Sequence, residues 1–129
     1  NYTVTIPEEI EMAVSYFNEN YNTKISVAQY AESLHISTNW FIRNFKQHMK
    51  MSPAQYLLSL RMVNAQSLLE NTDYSVGEIA EIVGYDNQLY FSRVFKKEYG
   101  ISPAQYRKRA ENQSAAPMES DVGEITRED

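Results

Sequence analysis

The sequence predicts an all-α chain of seven helices, built as two three-helix units joined by one long helix. Three observations carry this. The first is an internal repeat: Ser26, Val27, Ala31 and Glu32 return 49 residues later as Ser75, Val76, Ala80 and Glu81. After one extra residue the offset becomes 50, so that Phe41, Arg43, Phe45 and Lys46 return as Phe91, Arg93, Phe95 and Lys96, and Ser52–Tyr56 as Ser102–Tyr106. The second is apolar spacing of three and four residues throughout both copies. The third is punctuation. Ser26, Ser52, Ser75 and Ser102 are each followed three places on by Gln or Glu, the pattern of a capping box that opens a helix. Two copies are too few for a solenoid, which needs about three, but suffice to read two places on one partner.

In chain order, Thr5-Ile6-Pro7-Glu8 reads as a helix start, with Thr5 as N-cap, Pro7 in the first turn and Glu8 reaching back. Ile10, Val14, Phe17 and Tyr21 give the stripe of helix 1, about 7–20, with Met12 and Phe17 expected in the core. Ser26 opens a short helix through about Leu34, with Val27, Tyr30, Ala31 and Leu34 inward. A break at His35-Ile36 follows, and Ser37 caps helix 3, about 38–49. A short helix, a tight turn and a longer helix outline a helix-turn-helix unit, homeodomain-like in its three helices. Ser52-Pro53-Ala54-Gln55 then opens helix 4, about 53–70, with Tyr56, Leu60, Val63 and Leu68 along one side. At 1.5 Å per residue it is a rod of about 27 Å.

The second copy repeats the outline. Ser75 caps helix 5, Ile79, Ala80 and Val83 face in, Gly84 supplies the turn, Asp86 caps helix 6, about 87–99, and Gly100 ends it. The second Ser-Pro-Ala-Gln box opens helix 7, about 103–111. The expected organisation is one domain over 1–111, with units at about 7–51 and 75–111 around the linking helix. An acidic tail over 112–129 has no apolar period and is expected to be disordered.

Composition narrows the function. The 129 residues are 43% hydrophobic, enough for a core, and no run approaches the roughly 18–20 apolar residues of a membrane span. The absence of cysteine rules out disulfides and thiolate chemistry and fits a reducing, cytoplasmic place. The two histidines, His35 and His48, have no partner at metal spacing, and there is no phosphate loop or activated serine. No enzyme, metal, cofactor or small-molecule site is expected.

Net charge is −5, yet it is unevenly spread. Residues 37–50 hold Arg43, Lys46 and Lys50 with no acid, and residues 87–109 hold six bases against Glu98. Positive charge recurs at one place in both copies, an electrostatic footprint on an acidic body. On a helical wheel with Phe41 and Phe45 inward, the outer side of helix 3 carries Asn39, Arg43, Lys46 and Lys50, flanked by Ile42 and Gln47. The same construction for helix 6 gives Leu89, Arg93 and Lys96, flanked by Tyr90 and Lys97, with Gln88 in the first turn. These residue types suit a DNA duplex. Arg reads guanine bidentately, Gln or Asn reads adenine, Leu or Tyr meets a thymine methyl, and Lys holds phosphates. Trp40 reads equally as a packed ring or as one facing the sugar-phosphate backbone. The two Ser-Pro-Ala-Gln-Tyr boxes read as helix starts whose amides could approach a phosphate. A helical module docking an acidic protein through the same basic faces is the alternative.

The run Gly84-Tyr85-Asp86-Asn87-Gln88-Leu89-Tyr90-Phe91-Ser92-Arg93-Val94-Phe95-Lys96-Lys97-Glu98-Tyr99-Gly100 with the following Ile-Ser-Pro-Ala-Gln-Tyr-Arg107 closely resembles the signature of the AraC/XylS family of bacterial transcription regulators. The resemblance covers about residues 7–109. It implies seven helices, two helix-turn-helix subdomains on a long linking helix, and binding of one protomer across adjacent major grooves of double-stranded DNA. By position it implies base contacts from Asn39, Ile42 and Arg43 in helix 3, and from Gln88, Leu89, Tyr90 and Arg93 in helix 6. Backbone contacts then fall to Trp40, Lys46, Lys50, Lys96 and Lys97. It also implies recruiting or blocking of RNA polymerase, and a sensor or dimerisation domain preceding residue 1, or a response regulator ending in this region. The first copy departs from the pattern: His35 and Lys50 stand where the family usually has Gly, which leaves the presentation of helix 3 less defined than that of helix 6.

Overall fold

Serine hydroxyls set where most of the helices begin. In the computed structural model, which describes residues 5–115, α2 (Val27–Ser33), α3 (Thr38–Met49), α4 (Pro53–Asn71) and α5 (Val76–Ile82) each follow a serine in extended conformation whose Oγ accepts from the amide three residues on. At Ser75 the pairing is reciprocal: its Oγ accepts from Glu78 N–H at 3.0 Å and Glu78 Oε1 accepts from Ser75 N–H at 2.8 Å. Ser52 with Gln55 and Ser102 with Gln105 do the same, opening α4 and α7 (Pro103–Ala115). Each such cap contributes about 1 kcal/mol by satisfying donors the helix itself cannot.

Helix α1 (Glu8–Asn20) begins differently from the expected box. Pro7, not Thr5, holds the N-cap position, and no side chain caps it. Glu8, Glu9 and Glu11 fill its first turn, where carboxylates complement the helix dipole. With α6 (Gln88–Tyr99) the described fold is seven helices and nothing else regular.

The helices close on two hydrophobic cores. Ile10, Ala13 and Phe17 of α1, Ala31 of α2, and Phe41 and Phe45 of α3 form the first, with Leu57 from the start of α4. Ile79, Ala80, Val83, Phe91 and Phe95 form the second, with Met62, Ala65 and Leu69 from the rest of α4. Full burial of a phenylalanine contributes about 1.5–3 kcal/mol, and Phe17, Phe41, Phe45, Phe91 and Phe95 are all at 0% exposure. They hold α3 and α6 face-on to their cores.

Helix α4 therefore serves two masters, which corrects the single stripe expected for it. Leu57 and the Met62–Ala65–Leu69 set point about 110° apart around the helix at 100° per residue. Of the expected stripe, Tyr56 and Leu60 pack against the first core and Leu68 against the second, while Val63, between them, is 58% exposed. Met12 is likewise outside the core, at 46% exposure, lying across α1 from Ile10 and Phe17. The chain thus reads α1–α2–α3 with the start of α4, then α4–α5–α6 with α7. Tyr56 Oη donates to Asn18 Oδ1 at the end of α1 (2.8 Å), and its counterpart Tyr106 donates to Glu70 at the end of α4.

Helix α7 runs to Ala115, beyond its expected end near residue 111. Ala110, Glu111 and Gln113 are good helix formers and no Gly or Pro intervenes before Pro117, so propensity extends the helix where apolar period has ended. Residues 112–115, assigned to the tail from sequence, are helical; the rest of the expected tail, 116–129, lies outside the described residues.

Candidate nucleic-acid interface

Helices α3 and α6 are the same object built twice. Each has 12 residues, each is held by two buried phenylalanines four places apart, and each ends on a left-handed residue whose N–H donates to the carbonyl four back. Lys50 (φ 67°) donates to Lys46 O at 2.9 Å and Gly100 (φ 83°) to Lys96 O at 2.7 Å. The turns that precede them also agree: His35 has φ 61° and Gly84 φ 106°, and Ile36 and Tyr85 donate back to Ala31 O and Ala80 O. The sequence left the first turn less defined for want of glycine. His35 and Lys50 adopt the glycine conformation all the same, at roughly 1–2 kcal/mol each.

The turns differ by one residue, and the structure places it at Asp86. Ser37 caps α3 and Asn87 caps α6, each accepting from an amide three residues on: Trp40 N–H at 3.0 Å and Tyr90 N–H at 2.9 Å. Asp86, expected as the cap, is that extra residue; it stands outside the helix start and meets Lys24 Nζ at 2.7 Å.

With the phenylalanines inward, Asn39, Ile42, Arg43, Lys46, Gln47 and Lys50 are exposed on α3, and Gln88, Leu89, Tyr90, Arg93, Lys96 and Lys97 are exposed on α6. Leu89 and Tyr90 are conspicuous, with 67% and 56% of these apolar side chains in solvent at the start of α6. Both faces carry an arginine in the same register and lysines nearer the C-terminal end. Trp40 is half-buried and packs against the first core, so part of its ring is structural. Gln88 lies back over α5: a Cβ built on Gly77 would stand 2.7 Å from its Oε1. Sequence reasoning did not find Gly77; its counterpart in the first copy is Ala28, opposite the shorter Thr38.

At the starts of α4 and α7 the reciprocal boxes already occupy the amides of Ser52, Gln55, Ser102 and Gln105, and Pro53 and Pro103 carry none. Little donor capacity is left there for an anion. Among the described residues no cluster of His, Asp or Glu is arranged to hold a metal ion, and no helix is long and apolar enough to cross a membrane.

Burial and the neighbouring Glu70 carboxylate push the Tyr106 phenol up to about 12. Tyr30, Tyr85 and Tyr99 are also raised, each first by burial. All these phenols stay neutral in the physiological range and add no charge to the basic faces.

A family model described as a helix-turn-helix domain matches residues 30–109. The chain is 36% identical to the C-terminal domain of AraT, a response regulator from Geobacillus stearothermophilus, covering 82% of this chain and 88% of that one with a TM-score of 0.78. It is 29% identical to the DNA-binding domain of AdpA, a global transcriptional factor solved in complex with a target DNA, covering 87% and 99% with a TM-score of 0.75. Over 108 residues it is 37% identical to the raffinose operon transcriptional regulatory protein RafR of Pediococcus pentosaceus, covering 84% of this chain and 39% of that protein. The chain spans less than two fifths of the length of such curated relatives. On the extent of the model match, which takes in more than half of the chain, the chain belongs to the helix-turn-helix domain family.

Proposed function

We propose that this chain is the sequence-specific double-stranded DNA-binding domain of an AraC-type transcription regulator, inserting α3 and α6 into adjacent major grooves. The observation that carries this reading is the duplication of one exposed face. Arg43 and Arg93 stand in the same register on two equally long helices, each locked to its core by buried phenylalanines. A major groove admits one such helix, and successive grooves on one side of a duplex recur about every 34 Å. Helix α4, about 28 Å long at 1.5 Å per residue, is of the size to span that repeat.

In this mechanism Arg43 and Arg93 donate in fork geometry to guanine O6 and N7, Asn39 and Gln88 pair with adenine, and Ile42, Leu89 and Tyr90 meet thymine methyls or exclude water. Lys46, Lys50, Lys96 and Lys97 hold phosphates, with the exposed edge of Trp40 against a sugar, and these contacts set register. The bound domain then recruits or blocks RNA polymerase, under the control of a sensor or dimerisation domain elsewhere in the regulator. Charge sums to zero over residues 1–109, so non-specific affinity is low and the two basic faces carry the attraction.

Selection of duplexes from a random pool, followed by titration at two salt concentrations, tests the reading. The expected result is an asymmetric site with two half-sites about one helical turn apart and an affinity that falls steeply with salt. Failure to enrich any sequence even at low salt overturns it.

A further inference from the structure

Two reading helices define a site only if the angle between them is fixed, and the two cores do not merge to fix it. Among the described residues packed against them, Tyr21 alone belongs to both. We propose that Arg61 is the positioning residue that locks the two helix-turn-helix units together and thereby sets the separation and phase of the half-sites. This rests on the DNA reading above.

Arg61 lies on α4 between Leu57, which serves the first core, and Met62, which serves the second. Its Nε donates to Tyr21 O at 2.8 Å and its Nη2 to Thr23 O at 3.0 Å, both in the loop that leaves α1. The guanidinium carbon stands 5.5 Å from the centroid of the Tyr85 ring, in the turn that leads to α6. One planar group thus grips a loop of the first unit while resting on an aromatic face of the second. Lysine, a point charge on a flexible stem, cannot do both at once.

Two further contacts cross the same junction. The backbone of Asn22 approaches Gly84 so closely that a Cβ there would stand 3.1 Å from it. Lys24 pairs with Asp86, the residue present in the second turn and absent from the first. That pair is largely exposed and contributes little by itself. The groove at this junction is lined by Lys24, Arg61, Tyr85, Asp86, Asn87 and Tyr90, and Asn87 is the cap of α6. A rotation at the junction therefore turns α6 directly.

The second copy supplies an internal control. Arg107 makes a similar fork, Nε to Leu69 O and Nη2 to Thr72 O at 3.1 Å each, and both acceptors lie at the end of α4 within the second unit. Arg107 ties off a helix end. Arg61 does that for α1 and also spans the junction. A rigid pair of units has its ordering already settled before binding, so the second half-site is met at high effective concentration, but only at one spacing.

The chain has no cysteine, so Glu32→Cys and Glu81→Cys, exposed and equivalent positions on α2 and α5, accept paired spin labels without background. The distance distribution between them is expected to be narrow in the otherwise unaltered chain and in Arg107→Ala. It is expected to broaden in Arg61→Ala and, to a lesser degree, in Arg61→Lys, with circular dichroism showing unchanged helix content in the folded variants. In parallel, inserting two base pairs between the half-sites of a selected duplex turns the second by about 70°. The expected loss of affinity is about tenfold or more for the unaltered chain and below about threefold for Arg61→Ala, with isolated half-sites bound alike. Unchanged distance distributions in both Arg61 variants overturn the clamp even where the duplex is bound. An unchanged spacing penalty in Arg61→Ala overturns its role in site geometry. If no duplex is enriched by the unaltered chain, the DNA reading fails and the spacing claim with it, and the label distances then report on the clamp separately.

Discussion

His35 and Gly84 occupy the same place in the two turns and share a left-handed backbone, with φ of 61° and 106°. Only one of them is suited to it. The other side of the same comparison is space: a Cβ at Gly84 meets the Asn22 backbone at 3.1 Å. The two positions therefore respond oppositely to substitution. His35→Gly relieves roughly 1–2 kcal/mol of backbone strain and gives back roughly 0.5–1 kcal/mol of backbone entropy, for a net gain of about 0.5–1 kcal/mol. Gly84→Ala is expected to destabilise by about 1–3 kcal/mol, since it combines strain with a clash against backbone. Urea unfolding of both variants at neutral pH measures the difference.

Gly77 is the second residue of α5, so the gain from alanine there stays below the roughly 0.5–1 kcal/mol of a helix middle. The Gln88 side chain uses the space it leaves. Gly77→Ala is thus expected to raise stability by up to that amount while displacing Gln88, the far end of a flexible side chain. A selected site should lose preference at the base pair Gln88 reads and keep it elsewhere. Thermal unfolding and repeat selection on the variant give the two readouts.

Tyr106 gives a pH prediction. Its folded-state value is raised from 10.0 to about 12, by burial first and then by its bond to Glu70. The neutral phenol is favoured in the folded state, so this contribution to stability is complete below pH 10 and is lost as pH rises from 10 to about 12. In spectrophotometric titration Tyr106 should ionise late among the tyrosines. Tyr106→Phe should remove that late step, lower stability at neutral pH by about 1 kcal/mol and flatten the alkaline loss.

Local signals were legible in the sequence, and signals from across the fold were not. The Ser75–Glu78 and Ser52–Gln55 boxes are three residues wide and formed as read. The buried pairs Phe41–Phe45 and Phe91–Phe95 follow from helical period alone, and with them the exposed sides of α3 and α6. Thr5 failed as a cap because Pro7 sets the start of α1, and Asp86 failed because the one-residue insertion could not be assigned to a position from sequence. On α4, Tyr56, Leu60 and Leu68 pack against a core as read, and Val63 does not, because a helix that serves two cores has no single stripe. Arg61 carried no local signal at all: its acceptors lie 38 and 40 residues away along the chain.

The account turns on each reading helix addressing its own half of one duplex. Binding of a selected duplex, altered one base pair at a time, to Arg43→Ala and Arg93→Ala tests this most directly. Each variant is expected to lose about 1–3 kcal/mol and to relax preference in one half-site only, a different half for each. If both relax the same base pairs, or if neither changes preference while affinity falls evenly across all sequences, α3 and α6 do not read two grooves.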